Sequence, residues 1–457
     1  MIRANRAPSL SSSNGHAVKP GRLNSFQRMM LNWEDVRAFN AVHVARLDHR
    51  ISPAEIESGV LQTLAQLGIS SIEFDADRRR YEYFPDGPTP QFRVVEPSGD
   101  ARADLSAEIA SQLNRPFSDS RHSPFRFFYL PLPSGCYLGM AYHHVIGDAA
   151  SVSLVMQRLL QQLVDGCQVP PEPIDLYPPT LATKFSKELS ARRLPAVLTE
   201  FASDLIGYRK CHVLSIGDQR NARVGFKIID TNLPTRELLA TARYFGAKVQ
   251  DLAFAALFEA IGSLIPYEQR ARSRRPHLAL TAAVDLRRHT HGELANSLGQ
   301  FLSCFAVKHP LREATSFGQL VKEVEQQTSQ IKRRKTYFAQ AAMHGVMNAL
   351  WPLLPRSAKI QPLRYVCPFV GTISNMDLTR RLSALPVSDY LRAASTGPVM
   401  PLILDITTLG NTFNLTLMYR ESAFQESQID EIGKHLRRRL VEFHSAGREA
   451  TEVEAVL

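Results

Sequence analysis

The sequence predicts an α/β protein of layered strands and helices, built as two halves of comparable size. Three observations predict it. Apolar residues recur at period two in some segments and at helical spacing in others, and the two patterns alternate along the chain. The proline-dense run Val169-Pro170-Pro171-Glu172-Pro173-Ile174-Asp175-Leu176-Tyr177-Pro178-Pro179 is stiff and extended, which suits a connection between halves better than the inside of one. With 457 residues, 44% of them hydrophobic, the chain can bury more than one core. The expected division is a tail over 1–22, a first half over 23–168, a linker over 169–180 and a second half over 181–457.

The elements follow in order. Residues 1–22 contain Ser, Asn, Pro, Arg and Lys but no acid, as a disordered tail does, with only a faint likeness to an organelle transit peptide. A short helix around Phe26 to Leu31, a strand from Ala41 to Leu47 and a helix from Pro53 to Leu67 come next. Then come a strand near Gln91 to Val95, a helix at Leu105 to Leu113, and paired strands at Phe125 to Leu130 and Tyr137 to His143. In the second half, Val224 to Asp230 alternates as a strand and Lys248 to Ile265 forms an apolar helix. His277 to Leu286 and Tyr365 to Ser374 read as further strands, and Leu402 to Leu409 and Thr412 to Tyr419 flank the hairpin signal Gly410-Asn411. Ser427-Gln428-Ile429-Asp430 has the form of a capping box, and Ile429, Ile432, Leu436, Leu440 and Phe443 give the closing helix one apolar stripe.

Composition narrows the function. No apolar run approaches the roughly 20 residues that span a bilayer, and no hydrophobic secretory segment opens the chain, so a cytoplasmic protein is expected. The five cysteines are scattered, odd in number and lack a CxxC, so reduced thiols are expected and a metal site is not. A net charge of +10 points to acidic partners. The basic clusters at Arg78–Arg80, Arg272–Arg275, Lys332–Lys335 and Arg437–Arg439 lack interleaved aromatics, so nucleic acid is not the expected partner.

The chemistry concentrates at residues 143–148. An apolar run, Tyr137 to Tyr142, ends in His143-His144-Val145-Ile146-Gly147-Asp148, and Val152, Val155, Met156, Leu159, Leu160 and Leu163 then mark a helix with one buried face. Of the 14 histidines, only His144 has an aspartate four residues later. A strand-to-helix turn holds an imidazole rigidly while leaving it open to a cleft, as a general base requires. The plainer alternative makes Asp148 the N-cap of the helix and the histidines ordinary strand-end residues. Templates for other enzymes are missing: there is no GxSxG, GxxxxGK, HExxH or GxGxxG.

With these residues the chain resembles the HHxxxD acyltransferase superfamily, which includes chloramphenicol acetyltransferase, condensation domains and polyketide-associated acyltransferases. The likeness extends over roughly Leu23 to Phe443. It implies two chloramphenicol-acetyltransferase-like halves forming a V-shaped pseudo-dimer around a central tunnel. His144 would be the base, beside His143, and Asp148 would fix the turn through an ion pair with Arg287 in Val284-Asp285-Leu286-Arg287. Ser374 and Asn375, in a segment similar to a Ser-Asn turn of bacterial members, would contact the acyl carbonyl or the oxyanion. The Asp-Phe-Gly-Trp-Gly segment of the plant branch is absent, and Ala149 stands where many condensation domains have Gly.

The resemblance implies no resident cofactor. Acyl-CoA or an acidic, phosphopantetheinyl acyl or peptidyl carrier protein would act in trans as donor, and a small-molecule alcohol or amine as acceptor, with the enzyme a monomer. A thioester is already activated, so one imidazole that removes the acceptor's proton suffices and no covalent intermediate is needed. The competing expectation is a catalytically silent, condensation-like module that binds a carrier protein or partner enzyme. The presence of His144, Asp148 and Arg287 together argues against it.

Overall fold

The computed structural model describes residues 20–457 except 35, 119, 166–171, 186–193, 216, 218–222, 267, 269–272, 312–315, 354–360 and 457. Its strands run in chain order from β1 (Gly21–Arg22), β2 (Asn40–Leu47), β3 (Ser71–Asp75) and β4 (Arg80–Phe84) to β5 (Gln91–Val94), β6 (Phe125–Pro131) and β7 (Cys136–His143). The second half adds β8 (Val224–Ile229), β9 (His277–Asp285), β10 (Leu302–Pro310), β11 (Phe369–Asp377), β12 (Val387–Ala394), β13 (Leu402–Leu409) and β14 (Thr412–Arg420). They form a five-stranded sheet ordered β12-β2-β7-β6-β5, a six-stranded sheet ordered β10-β9-β11-β13-β14-β8, and a small β1-β4-β3 sheet. The fold class is therefore the α/β, two-lobed one.

Each large sheet packs its own helices on one face. In the first half Ile56, Val60, Leu64, Val152, Val155 and Leu159 close over β2, β6 and β7. In the second, the helix Val249–Ser263 is buried almost all round between the sheet and the helix Glu426–Val456, whose Ile429, Ile432, Leu436 and Leu440 form one stripe. A third cluster joins the two: Val42, Val44 and Phe128 of the first sheet pack with Ile403 and Met418 of the second. Close packing imposes glycine at several positions, Gly139 among them. A Cβ on Gly139 of β7 would stand 2.0 Å from the ring of Phe128 on β6.

The halves also exchange chain. β12, from the second half in sequence, pairs antiparallel with β2, from Ala394 opposite Ala41 to Val387 opposite Leu47. In the proline-rich stretch, Asp175 bridges Ser297, and the Leu298 amide donates to the Asp175 carbonyl at 2.9 Å. Leu176 and Tyr177 rest on the first core, so this part of the stretch is fastened to both halves. The rest of it, up to residue 171, lies outside the described residues, as do residues 1–19 of the tail. Gly21–Arg22, assigned to the tail in sequence, pair with Tyr81 and Arg80 instead.

Two boundaries differ from expectation. The strand expected over Tyr365 to Ser374 is a short helix, Gln361–Val366, followed by β11. Pro368 supplies no N–H to a ladder, so β11 begins after it. The closing helix starts at Glu426, ahead of Ser427, and its first turn is closed by the Gln428 side chain, which accepts from the Gln425 amide at 2.9 Å. The Gly410-Asn411 hairpin holds, with Leu409 opposite Thr412 and Gly410 at φ 59°.

Candidate active site

β7 ends at His143, a single 3-10 turn covers His144–Ile146, and the helix Ala149–Asp165 begins directly after Asp148. Because side chains alternate along an extended strand, His143 and His144 leave it on opposite sides. His144 faces a cavity of about 220 Å3 between the halves. Its amide donates to the Phe39 carbonyl at 3.1 Å, and Gln300 donates to its carbonyl. Its ring stacks on Phe39, centroids 5.3 Å apart. Nδ1 lies 3.2 Å from the Gly147 carbonyl, which can only accept, and 3.4 Å from Gln300 Nε2, whose amide is already spent on the His144 carbonyl, so Nδ1 carries the proton and Nε2 keeps a lone pair toward the cavity. Burial pushes this imidazole down from 6.5 to about 4, against the Gly147 carbonyl and the Asp148 charge, so it is neutral at cellular pH.

His143 does not reach the cavity. It is buried with Phe74, Phe117 and His122, and its Nε2 lies 2.6 Å from Glu34 Oε1. The His122 Nδ1 faces the Ser120 carbonyl at 2.7 Å, so that nitrogen carries a proton and His122 Nε2 accepts from His143 Nδ1 at 3.3 Å. The pairing of His143 with His144 in sequence is thus not a pairing in space. His143 braces the turn from behind.

Asp148 is fully buried and does two jobs. Oδ1 accepts from the Ser151 amide at 2.9 Å and caps the helix, while Oδ2 accepts from Arg287 Nη1 at 2.8 Å and from the Phe301 amide at 2.8 Å. The N-cap and ion-pair alternatives left open by the sequence are both realised in one carboxylate. Arg287, just past β9, also donates to Asp285 at 3.2 Å and Ser151 Oγ at 2.5 Å and lies over the ring of Phe301. Burial opposes its charge, yet Asp148 and Asp285 more than offset this and hold it firmly protonated. The pair ties the turn of the first half to the second.

On the opposite wall, Thr372 and Ser374 of β11 line the cavity, while Asn375 is exposed. Strand alternation separates the two, so Ser374 alone of that pair faces the cavity. The segment is a parallel strand between β9 and β13 and contains no turn. Ser374 lies opposite Asp405 of β13. Its Oγ accepts from Arg392 Nη1 at 3.1 Å, and Arg392, carried on the exchanged strand β12, also donates to Thr407 and the Ile406 carbonyl. Burial raises the Asp405 carboxyl, with the Arg392 charge and the Ser374 hydroxyl opposing. Cys304 and Cys367 line the cavity too, but burial pushes both thiols up to about 12, so neither is a thiolate nucleophile.

Among the described residues no group of side chains could hold a metal ion, no disulfide forms, and no helix is long and apolar enough to cross a membrane. Cys167 lies outside them.

No protein-family model matches the sequence, and no curated protein sequence does. Solved structures do. The first condensation domain of the calcium-dependent antibiotic synthetase, in complex with a substrate analogue, superposes with a TM-score of 0.67 at 15% identity, over 93% of this chain and 97% of that one. The fold is that of the condensation domains. The EpoB cyclization-docking bidomain from Sorangium cellulosum matches with a TM-score of 0.65 at 13% identity, over 92% and 84%. The condensation domain of the Monacolin K polyketide synthase MokA gives 0.57 at 12%, over 94% and 98%. These neighbours are two-lobed domains of chloramphenicol-acetyltransferase-like fold, and this chain shares that fold.

Sequence reasoning missed Gln300, which fastens the backbone of the turn, and the Glu34–His143–His122 chain behind it. It also missed Arg392 and Asp405. Arg392 carried one signal, a charged residue inside the apolar alternation Tyr390-Leu391-Arg392-Ala393, which marks a buried charge with an assigned partner.

Proposed function

We propose that this chain is a condensation-type acyltransferase that moves an acyl group from a thioester to a hydroxyl or amine. Donors of either class, coenzyme A or a phosphopantetheinyl carrier protein arriving in trans, present the same thioester. The observation that carries the reading is His144: neutral, anchored through Nδ1, with Nε2 open to the inter-lobe cavity. The acceptor's O–H or N–H proton passes to Nε2 as its oxygen or nitrogen bonds to the acyl carbon. The tetrahedral oxyanion then collapses, the C–S bond breaks, and the imidazolium returns the proton to the departing thiolate. A base at about 4 is intrinsically weak, but the oxyanion forming nearby favours the imidazolium and strengthens it as the step proceeds. Ser374 already accepts from Arg392, so its own hydroxyl proton can be donated to that oxyanion or to Asp405.

The test is incubation with a panel of acyl-CoAs and acyl-loaded carrier proteins in the presence of simple alcohols and amines. Thiol release and product mass are the readouts. Acceptor-dependent thiol release that disappears in His144→Ala supports the reading. A chain that binds a loaded carrier protein yet releases no thiol with any acceptor is instead a silent binding module.

A further inference from the structure

The cavity has a chemical grain. Among the described residues that line it only Arg392 and Asp405 are charged, and both sit with His43 and Ser374 on the sheets. Away from His144 a row of aromatic rings forms one connected apolar path: Phe39 stacks on His144, Trp33 meets Phe39 edge-on at 5.1 Å, and Phe26 meets Trp33 edge-on at 6.3 Å. Across from this row stand Gly397 and Met400, and a Cβ on Gly397 would lie 3.4 Å from Met400 Cε and 3.6 Å from Trp33. Met29, Met30, Met347 and Trp351 complete this arm between the helices Ser25–Glu34 and Tyr337–Leu350.

We infer that this arm binds the tail of a straight aliphatic acyl chain, of medium length or longer, with its carbonyl at His144. Three features decide for that occupant. Each ring-to-ring step exceeds 5 Å, so the arm extends well beyond what an acetyl group fills. Methionine thioethers, four of them here, adapt their shape to a flexible chain better than to a rigid ring. Asn32, Gln340, His344 and Asn348 also line this side, but Asn348 is bonded to Asn32 and to the Ser25 carbonyl, and burial holds His344 neutral. Among the described residues no charged side chain lies along the path, so an ionised tail such as an amino-acyl ammonium would enter without a counter-charge. The inference rests on the acyl-transfer reading for where the carbonyl sits, but the binding of the chain can be measured without any reaction.

The two tryptophans of the protein, Trp33 and Trp351, both line the cavity, so intrinsic fluorescence reports its occupancy. The probes are N-acetylcysteamine thioesters of acetic, butanoic, hexanoic, octanoic and decanoic acids, titrated into the full chain. Burial of each methylene should tighten binding about three- to fourfold, so octanoyl should bind roughly a hundredfold more tightly than butanoyl. Gly397→Val would push a side chain between Trp33 and Met400, and the octanoyl-to-butanoyl affinity ratio should fall at least tenfold. A Kd that does not change with chain length, or a ratio that survives Gly397→Val, overturns the inference. Failure of the parent reading looks different: affinity would climb with chain length while no thioester released thiol to any acceptor.

Discussion

Asp148 and His144 stand on the same turn and are held in opposite ways. Asp148 is fully buried, and its two oxygens accept from three donors on three separate segments of the chain. His144 spends one ring nitrogen on the turn's own backbone and leaves the other open to the cavity. A saturated group can only hold, whereas an unsaturated one beside a cavity can react. Structure thus falls to the first and chemistry to the second, and substitutions at each should fail in different ways.

The largest effect should come from His144→Ala. Removing a general base costs about 10²–10⁴ in rate. The fold should persist, because the bonds that fasten the turn run through its backbone and through Asp148. Thiol release measured beside the thermal midpoint checks both halves of the statement. Near wild-type turnover would remove His144 from the chemistry, and a collapsed midpoint would make it structural like Asp148.

Asp148→Ala and Arg287→Ala should show the reverse pattern, a loss of stability that carries activity with it. Taking one partner from a buried, hydrogen-bonded ion pair costs about 3–5 kcal/mol, because the survivor is left desolvated and unpaired. Removing both should therefore cost clearly less than the sum of the two single changes. Denaturant midpoints of the four members of the double-mutant cycle supply the coupling energy, and a coupling near zero would reduce Asp148 to its capping bond with Ser151.

What the sequence made legible follows the same division. The turn was readable because its parts are local: an apolar strand, a glycine, an aspartate in N-cap position and a helical stripe all within residues 137–163. Arg287 was readable as a strand-end cation, though its partners were implied only by the family resemblance. The exchanged strand β12 was not readable, because its pairing with β2 joins residues some 350 positions apart, and alternation alone does not say which sheet a strand enters. Arg392 and its bond to Ser374 were lost with it. Asn375 fails for a simpler reason: in a continuous strand Thr372 and Ser374 share a face and Asn375 takes the other. His143 was grouped with His144 by adjacency, and the same alternation separates them.

Acid should sharpen the contrast further. Burial lowers His43, His122, His144 and His344 from 6.5, the last three to about 4. Between about pH 4 and 6.5 the unfolded chain therefore binds more protons at these sites than the folded one, and stability should rise with pH through that window, by up to about 1.4 kcal/mol per pH unit for each histidine. His344 isolates one of them, since its Nδ1 is buried without a hydrogen-bond partner and its ring stacks on Phe26. His344→Phe should keep the stacking and reduce the slope by about one proton, without loss of stability at pH 7. Urea unfolding at pH 5 and pH 7 measures this, and an unchanged slope would mean that His344 is already charged in the fold.

The smallest effect concerns Lys332-Arg333-Arg334-Lys335. Its first three residues form the last turn of the helix Phe317–Arg334, and Lys335 closes it at φ 54°. Cations there complement the helix dipole, which is reason enough for them to exist. The next helix, Tyr337–Leu350, carries His344, Met347 and Asn348 to the cavity, so the cluster also stands at the end of an element that lines the site. Arg333, Arg334 and Lys335 are exposed, whereas Lys332 is half-buried with its Nζ 5.9 Å from the Phe305 ring centre and should be left in place. Changing the three exposed residues to Gln should raise KM for an anionic donor about two- to fivefold at low salt with kcat unchanged. The difference should vanish toward 1 M salt, where the screening length is only about 3 Å. An unaltered KM and salt response, together with a small drop in thermal midpoint, would show that these charges serve the helix end alone and that the donor approaches from another side.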